Sequence, residues 1–261
     1  MNLYEWIRWR FGRGGFRKLS RLVHEGFAQL RSEDYAEARS TFLQVLDFRD
    51  QIASSVLLDW VLEALESTWL FRDEYDEQIT FFSNYVRRYP GDATAFCARA
   101  AAFWYSGRLQ EAVDDYNRAL EHKPDLISAV SGRAQVLAEM GRHRQALEEI
   151  DRALLILEKN GAANSRLAER NRHIKAFLHR SRGVALAGLG DAQAAMGEFT
   201  TSITLSGENG WVFYSRAEVY EKIGDRTKAM ADYRLGLEKR TPHLCIRQRE
   251  RAEARLRELE R

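Results

Sequence analysis

Four arginines and four carboxylates recur in step along this sequence. Arg99, Arg133, Arg182 and Arg216 are each followed sixteen residues later by an acid: Asp115, Glu149, Glu198 and Asp232. Such a couple can close on itself, as an ion pair that holds two segments in register. Alternatively, the guanidinium groups can form a ladder for an anionic ligand. The constant offset favours the first, because an acid supplied at the same distance every time answers its own arginine. Removing one partner of such a pair, if partly buried, costs on the order of 3 kcal/mol.

Two other stretches concentrate charge. At residues 1–18, Trp6, Ile7, Trp9, Phe11 and Phe16 are interleaved with Arg8, Arg10, Arg13 and Arg17, around a predicted turn at Gly12, Gly14 and Gly15. Aromatic rings between arginines suit a membrane surface or an RNA backbone. They also suit a short cap that covers the end of a stacked fold with Trp6 and Trp9, and the cap is the favoured reading. Between 159 and 180, Lys159, Arg166, Arg170, Arg172, Lys175 and Arg180 face only Glu169, with His173 and His179 beside them. Those cations could meet phosphate or an acidic peptide; the plainer reading is a solvated, lengthened helix.

No arrangement of residues suggests catalysis. The sequence has no glycine-rich phosphate loop, nucleophile elbow or zinc-protease helix motif. Its six histidines lack ligand spacing, and Cys97 and Cys245 make neither a disulfide framework nor a metal cluster. The expectation is therefore a non-enzyme with no catalytic residue, metal, cofactor or small-molecule substrate. Charged residues make up 30% of the chain but the net charge is only +2, so any basic patch must be local. No apolar run reaches the length of about twenty that a membrane helix needs. The start of the chain lacks the apolar core of a secretory signal. The expected location is the cytoplasm, with attachment to a membrane periphery as an alternative.

The elements that must position the arginine–carboxylate couples are set by a 34-residue period. Gly107 leads to Gly141 and Gly190 to Gly224 at that step. Seven residues before each glycine stands a small residue (Ala100, Ala134, Gly183, Ala217). Five after it comes an alanine (Ala112, Ala146, Ala195, Ala229), and nine after it a bulky side chain (Tyr116, Ile150, Phe199, Tyr233). Apolar residues at helical spacing flank every glycine, so the glycine ends one helix and a second follows antiparallel to it. Pro124 closes one repeat, and Asp125 is expected to cap the next helix. The interval from Gly141 to Gly190 is one period plus fifteen residues, which places an insertion at 161–175 that breaks at Gly161–Asn164 and then lengthens the following helix.

This frame resembles the tetratricopeptide repeat. The match is strong in four repeats (93–126, 127–160, 176–209 and 210–243) and weaker in two before them, 19–52 and 59–92. The family's early tryptophan is replaced by Phe96, Val130, His179 and Phe213, and the second repeat lacks the small residues. The resemblance implies an all-α, right-handed superhelical solenoid of about six helix–turn–helix repeats over 19–243. Residues 1–18 would form a segment or cap at one end, and 244–261 a capping helix at the other. It also implies a concave groove, lined by the first helix of each repeat, that binds a protein or peptide. Trp60, Glu63, Trp104, Tyr105, Gln135, Glu139, Arg180, Tyr214 and Glu218 fall on that groove, and Arg166, Arg170, Arg172 and Lys175 on the basic insertion. The lysine, arginine and asparagine set with which some members grip chaperone tails is replaced by Val23 and Phe27, Glu63 and Ser67, and Cys97 and Ala101. The expected function is a protein-interaction scaffold. The alternative is an adaptor docked on a membrane surface or nucleic acid through residues 1–18.

Overall fold

A computed structural model describes residues 3–52, 55–160, 165–206, 210–239 and 246–261. Within these, the side chains of 3–16, 55, 160, 165–167, 170, 206 and 246–248 are not described. Thirteen α-helices and one short 3-10 turn make up the described residues, and no strand occurs among them. The chain divides into two compact units, Met1–Ala102 and Phe103–Arg261.

The first unit holds α1 (Leu3–Arg31), α2 (Tyr35–Leu46), a 3-10 turn at Arg49–Gln51, α3 (Ser55–Leu70) and α4 (Tyr75–Arg88). It also holds most of α5 (Ala93–Tyr105). Helices α1 and α2 approach closely because Gly26 has no side chain. A Cβ there would lie 2.7 Å from the ring of the fully buried Phe42. Helix α1 runs unbroken through Gly12, Gly14 and Gly15, so the turn expected there is absent.

Helices α3 and α4 pack less intimately than α1 with α2, and less than three tight hairpins of the second unit. The two positions that elsewhere carry small residues hold Glu66 and Gln78. The space between the helices is filled instead by an aromatic cluster of Trp69, Phe81 and Phe82, with ring centroids 5.1–5.9 Å apart. Gln78 is fully buried and donates from Nε2 to the Ala98 carbonyl at 2.8 Å, while its Oε1 has no partner.

The second unit holds the end of α5, then α6 (Leu109–His122), α7 (Ile127–Glu139), α8 (His143–Asn160), α9 (Ser165–Gly188) and α10 (Ala192–Ser206). It closes with α11 (Gly210–Lys222), α12 (Arg226–Glu238) and α13 (Ile246–Glu260). Helices α7 with α8, α9 with α10 and α11 with α12 form tight hairpins. Gly183 plays the part of Gly26 here: a Cβ would sit 2.7 Å from the buried ring of Phe199. Helix α9 runs to 24 residues, the lengthened first helix that the spacing predicts. The predicted break at 161–164 lies outside the described residues. Asp125 does not cap α7; that place falls to Leu126, which has no capping side-chain hydrogen bond. Helix α13 covers α12, with Ala252 in one cluster with Tyr214, Ala217 and Tyr233, and Leu256 and Leu259 packed at its edge.

The turn within each hairpin follows one design. Gly107, Gly141, Gly190 and Gly224 adopt φ of +77° to +91°, the left-handed conformation that ends a helix. Beyond each, a backbone N–H returns to the last turn, as from Arg108 to the Phe103 carbonyl and from Arg142 to that of Leu137, both at 2.8 Å. In the first unit Glu33 (φ +64°) and Asp73 (φ +55°) do the same without glycine.

Candidate partner-binding face

Three of the arginine couples, those of Arg133, Arg182 and Arg216, close as the spacing predicts. Arg216 grips Asp232 with two parallel hydrogen bonds of 2.7 and 2.8 Å, and Arg133 meets Glu149 at 2.6 Å. Arg182 lies 3.8 Å from Glu198, whose other oxygen contacts His179 Nδ1 at 2.7 Å. Each arginine of the first three couples also reaches back to the second helix of the preceding repeat. Arg99 donates to Ser83 Oγ at 3.2 Å, Arg133 to Asn117 Oδ1 at 2.6 Å, and Arg182 lies 3.4 Å from Asp151. Ser83, Asn117 and Asp151 are themselves 34 residues apart. The arginines are staples between helices, and the hydrogen-bonded Arg216–Asp232 pair raises the guanidinium's affinity for its proton.

One arginine on a first helix is different. Arg180 is 5% exposed, and its acceptors are neutral: Gln135 Oε1 on α7 at 2.7 Å and Ser215 Oγ on α11 at 3.2 Å. Its guanidinium lies over the rings of Phe177 and Trp211, 5.1 and 5.3 Å from their centroids. Burial pushes it down to about 10, against the opposing influence of Tyr105 and Glu218. It stays a cation at neutral pH. Gln135 Oε1 also accepts from Ser181 Oγ at 2.8 Å, so the amide that meets Arg180 is held from two sides.

Around Arg180, successive first helices supply a row of polar and aromatic groups. Trp104 stacks on Tyr105, with centroids 4.6 Å apart, and its Nε1 donates to Glu139 Oε2 at 2.6 Å. Glu218 pairs with Arg251 of α13 at 3.2 Å. Glu221 accepts from Tyr233 Oη at 2.5 Å and pairs with Arg255, and these partners hold its carboxyl below the usual range although burial opposes them.

The structure thus gathers Trp104, Tyr105, Gln135, Glu139, Arg180 and Glu218 within the second unit. Tyr214 departs from its expected place. It is buried against Tyr233, because Gly236 on α12 leaves room where a Cβ would lie 2.6 Å from the Tyr214 ring. Trp60 and Glu63 belong to the first unit, where Trp60 is 49% exposed on α3. Of the basic insertion, Arg172 is exposed and Lys175 half-buried, while the side chains of Arg166 and Arg170 lie outside the described residues. Among the described residues no group of three potential metal ligands comes together, and no helix is long and apolar enough to cross a membrane.

Residues 93–126 match the family model of the tetratricopeptide repeat. Those residues form one tetratricopeptide repeat. Solved structures extend the likeness to the fold of nearly the whole chain. A tetratricopeptide repeat protein from Parabacteroides merdae is similar over 94% of this chain and 100% of its own, with a TM-score of 0.52 at 13% identity. A thermophilic tetratricopeptide repeat protein from Thermus thermophilus aligns over 77% of this chain and 98% of its own, with a TM-score of 0.56 at 19% identity. The APC/C hetero-tetramer Cut9–Hcn1 contributes a chain that aligns over 88% of this one and 40% of its own, with a TM-score of 0.58 at 14% identity. No curated protein matches the sequence. The all-α tetratricopeptide solenoid is therefore the fold of this chain, and that fold supports a protein-interaction scaffold in general terms.

Proposed function

We propose that the protein is a non-catalytic scaffold that holds a peptide or protein segment along the first helices of the second unit. The observation that carries this reading is the row formed by Tyr105, Glu139, Gln135, Arg180, Trp211 and Glu218, drawn from α5, α7, α9 and α11. Aromatic rings beside hydrogen-bonding groups of fixed orientation are what anchors a partner, and here the orientation is fixed by contacts such as Trp104 to Glu139 and Ser181 to Gln135. Trp60, exposed on α3, is the corresponding anchor proposed for the first unit. The expected setting is the cytoplasm.

Selection of peptides from a phage-displayed random library on the full chain tests this reading. Tyr105→Ala should weaken the selected peptides by about tenfold, the cost of a lost aromatic anchor. Arg249→Ala, on the exposed side of α13, should leave them unchanged. Equal binding by both variants would overturn the reading. The adaptor alternative rests on the composition of residues 1–18, and salt-sensitive capture of the chain by anionic liposomes or RNA would favour it.

A further inference from the structure

Among the described residues, half-buried arginines such as Arg39, Arg133 and Arg216 are answered by acids. Arg133 meets Glu149, Arg216 meets Asp232, and Arg39 is shared between Glu74 and Glu77. Arg180 is more deeply buried than any of these three. No carboxylate among the described residues lies within ion-pair distance of it. A desolvated guanidinium whose acceptors are only an amide and a hydroxyl forgoes most of the electrostatic compensation that burial demands. It also keeps donors in hand. Two of its five hydrogens are used, one on Nη1 and one on Nη2, and no acceptor for the others occurs among the described residues.

The acids that could have answered it are engaged elsewhere. Glu139 is held by the Trp104 indole, Glu218 by Arg251, and Glu221 by Arg255 and Tyr233. Helix α13 thus supplies two arginines that pair with the acids of α11. That leaves Arg180 without a directly paired acid among the described residues, Glu218 acting on it only at longer range. Phe177 and Trp211 flank it with apolar surface, so a charge arriving there meets a low-dielectric wall in which an ion pair is strengthened.

We propose that Arg180 is the receptor for a carboxylate on the bound segment, an aspartate or glutamate side chain. It receives that group between α7 and α11, with Gln135 and Ser215 fixing the plane of its fork. This rests on the scaffold reading above and adds to it a requirement for one acidic residue. The same cation would serve poorly as a mere staple, since Gln135 and Ser215 could be joined by a neutral side chain without the cost of desolvating a charge.

The test is a double-mutant cycle on peptides selected as above, synthesised with acetylated N-termini and amidated C-termini and measured by isothermal titration. The selected sequences should share an aspartate or glutamate at one position. Its exchange for the matching amide should weaken binding to the native chain by about 30-fold, the scale of a desolvated charge pair. Against Arg180→Gln the acidic and amide peptides should bind alike, and Arg180→Lys should restore part of the preference. The peptide-side exchange is read on the unaltered protein, so it stands even if Arg180→Gln folds poorly. Peptides that depend on Tyr105 but tolerate the amide would overturn the Arg180 proposal and leave the scaffold reading intact. So would a preference that persists in Arg180→Gln, or binding that needs a free C-terminal carboxylate. A selection that returns no Tyr105-dependent peptide would remove both.

Discussion

The hairpins α3–α4 and α11–α12 occupy the same place in their repeats and solve the packing problem differently. Ala217 and Ala229 let α11 and α12 close until Tyr233 fills the remaining space, and Arg216 then locks the pair to Asp232. In α3–α4 the matching small positions hold Glu66 and Gln78, and Leu65 stands where the arginine would be. The helices stay further apart and rings fill the gap, while Gln78 Oε1 and Trp69 Nε1 are buried without partners, as Tyr214 Oη is in α11. Small residues at the point of closest approach permit the tetratricopeptide hairpin.

That contrast is broken most severely by giving the tight hairpin the residue of the loose one. Ala217→Glu would force a carboxylate into a fully buried position against Tyr233. We expect a loss of about 4 kcal/mol in urea denaturation followed by circular dichroism, from overpacking and an unanswered charge together. A loss within the ordinary surface range would mean that close approach is not what the alanine secures. Next in size, Arg216→Ala leaves Asp232 buried without its cation and should cost about 3 kcal/mol. Arg249→Ala, which breaks the exposed pair with Glu253, should cost less than about 0.5 kcal/mol. If the two losses are equal, the repeated couple is ornamental.

How far these features could be read beforehand depends on whether the period carried a residue type. The glycine turns, the small residues and the arginine couples repeat with the same chemistry, and the fold follows from them. Ser83, Asn117 and Asp151 repeat at the same step but share only hydrogen-bonding capacity, so the backward half of the staple is invisible until the helices are stacked. Tyr214 reads as a groove residue by position. Its burial is set by Gly236, which stands where Ala119 and Ala153 occupy other repeats, and that substitution was visible without its consequence being so. Arg180 reads both as a groove residue and as part of a basic stretch. Its burial, its neutral acceptors and the rings of Phe177 and Trp211 appear only once the helices are stacked. The glycines of α1 show the converse, since glycine permits a turn without imposing one.

Glu66 sharpens the comparison through pH. Burial, with Glu63 beside it, pushes its carboxyl from 4.5 up to about 8. The folded protein therefore holds this proton more tightly than the unfolded chain does. The stability that the neutral carboxyl confers is fully present below about 4.5 and is lost as pH rises through about 8. Part of the side chain reaches solvent, which screens the penalty, so Glu66→Gln should gain about 2 kcal/mol at pH 9 and close to nothing at pH 4. The gain should appear in the slope of stability against pH. A pH-independent gain would locate the effect in packing and not in charge.

The smallest effect separates backbone from packing at the turns. Gly141 has φ of +77° and open space where a Cβ would project, so Gly141→Ala tests the backbone alone. It should cost about 1 kcal/mol. Glu33 makes the same turn at φ +64° with an exposed side chain, so Glu33→Gly should return a similar amount, somewhat reduced by the added freedom of the unfolded chain. The two shifts should be opposite in sign and close in size, because both report the same left-handed conformation and neither touches the core. A loss on Glu33→Gly would mean that the first repeat draws stability from the glutamate itself. Its departure from glycine would then be a second solution to the turn, as Glu66 and the aromatic cluster are a second solution to the hairpin.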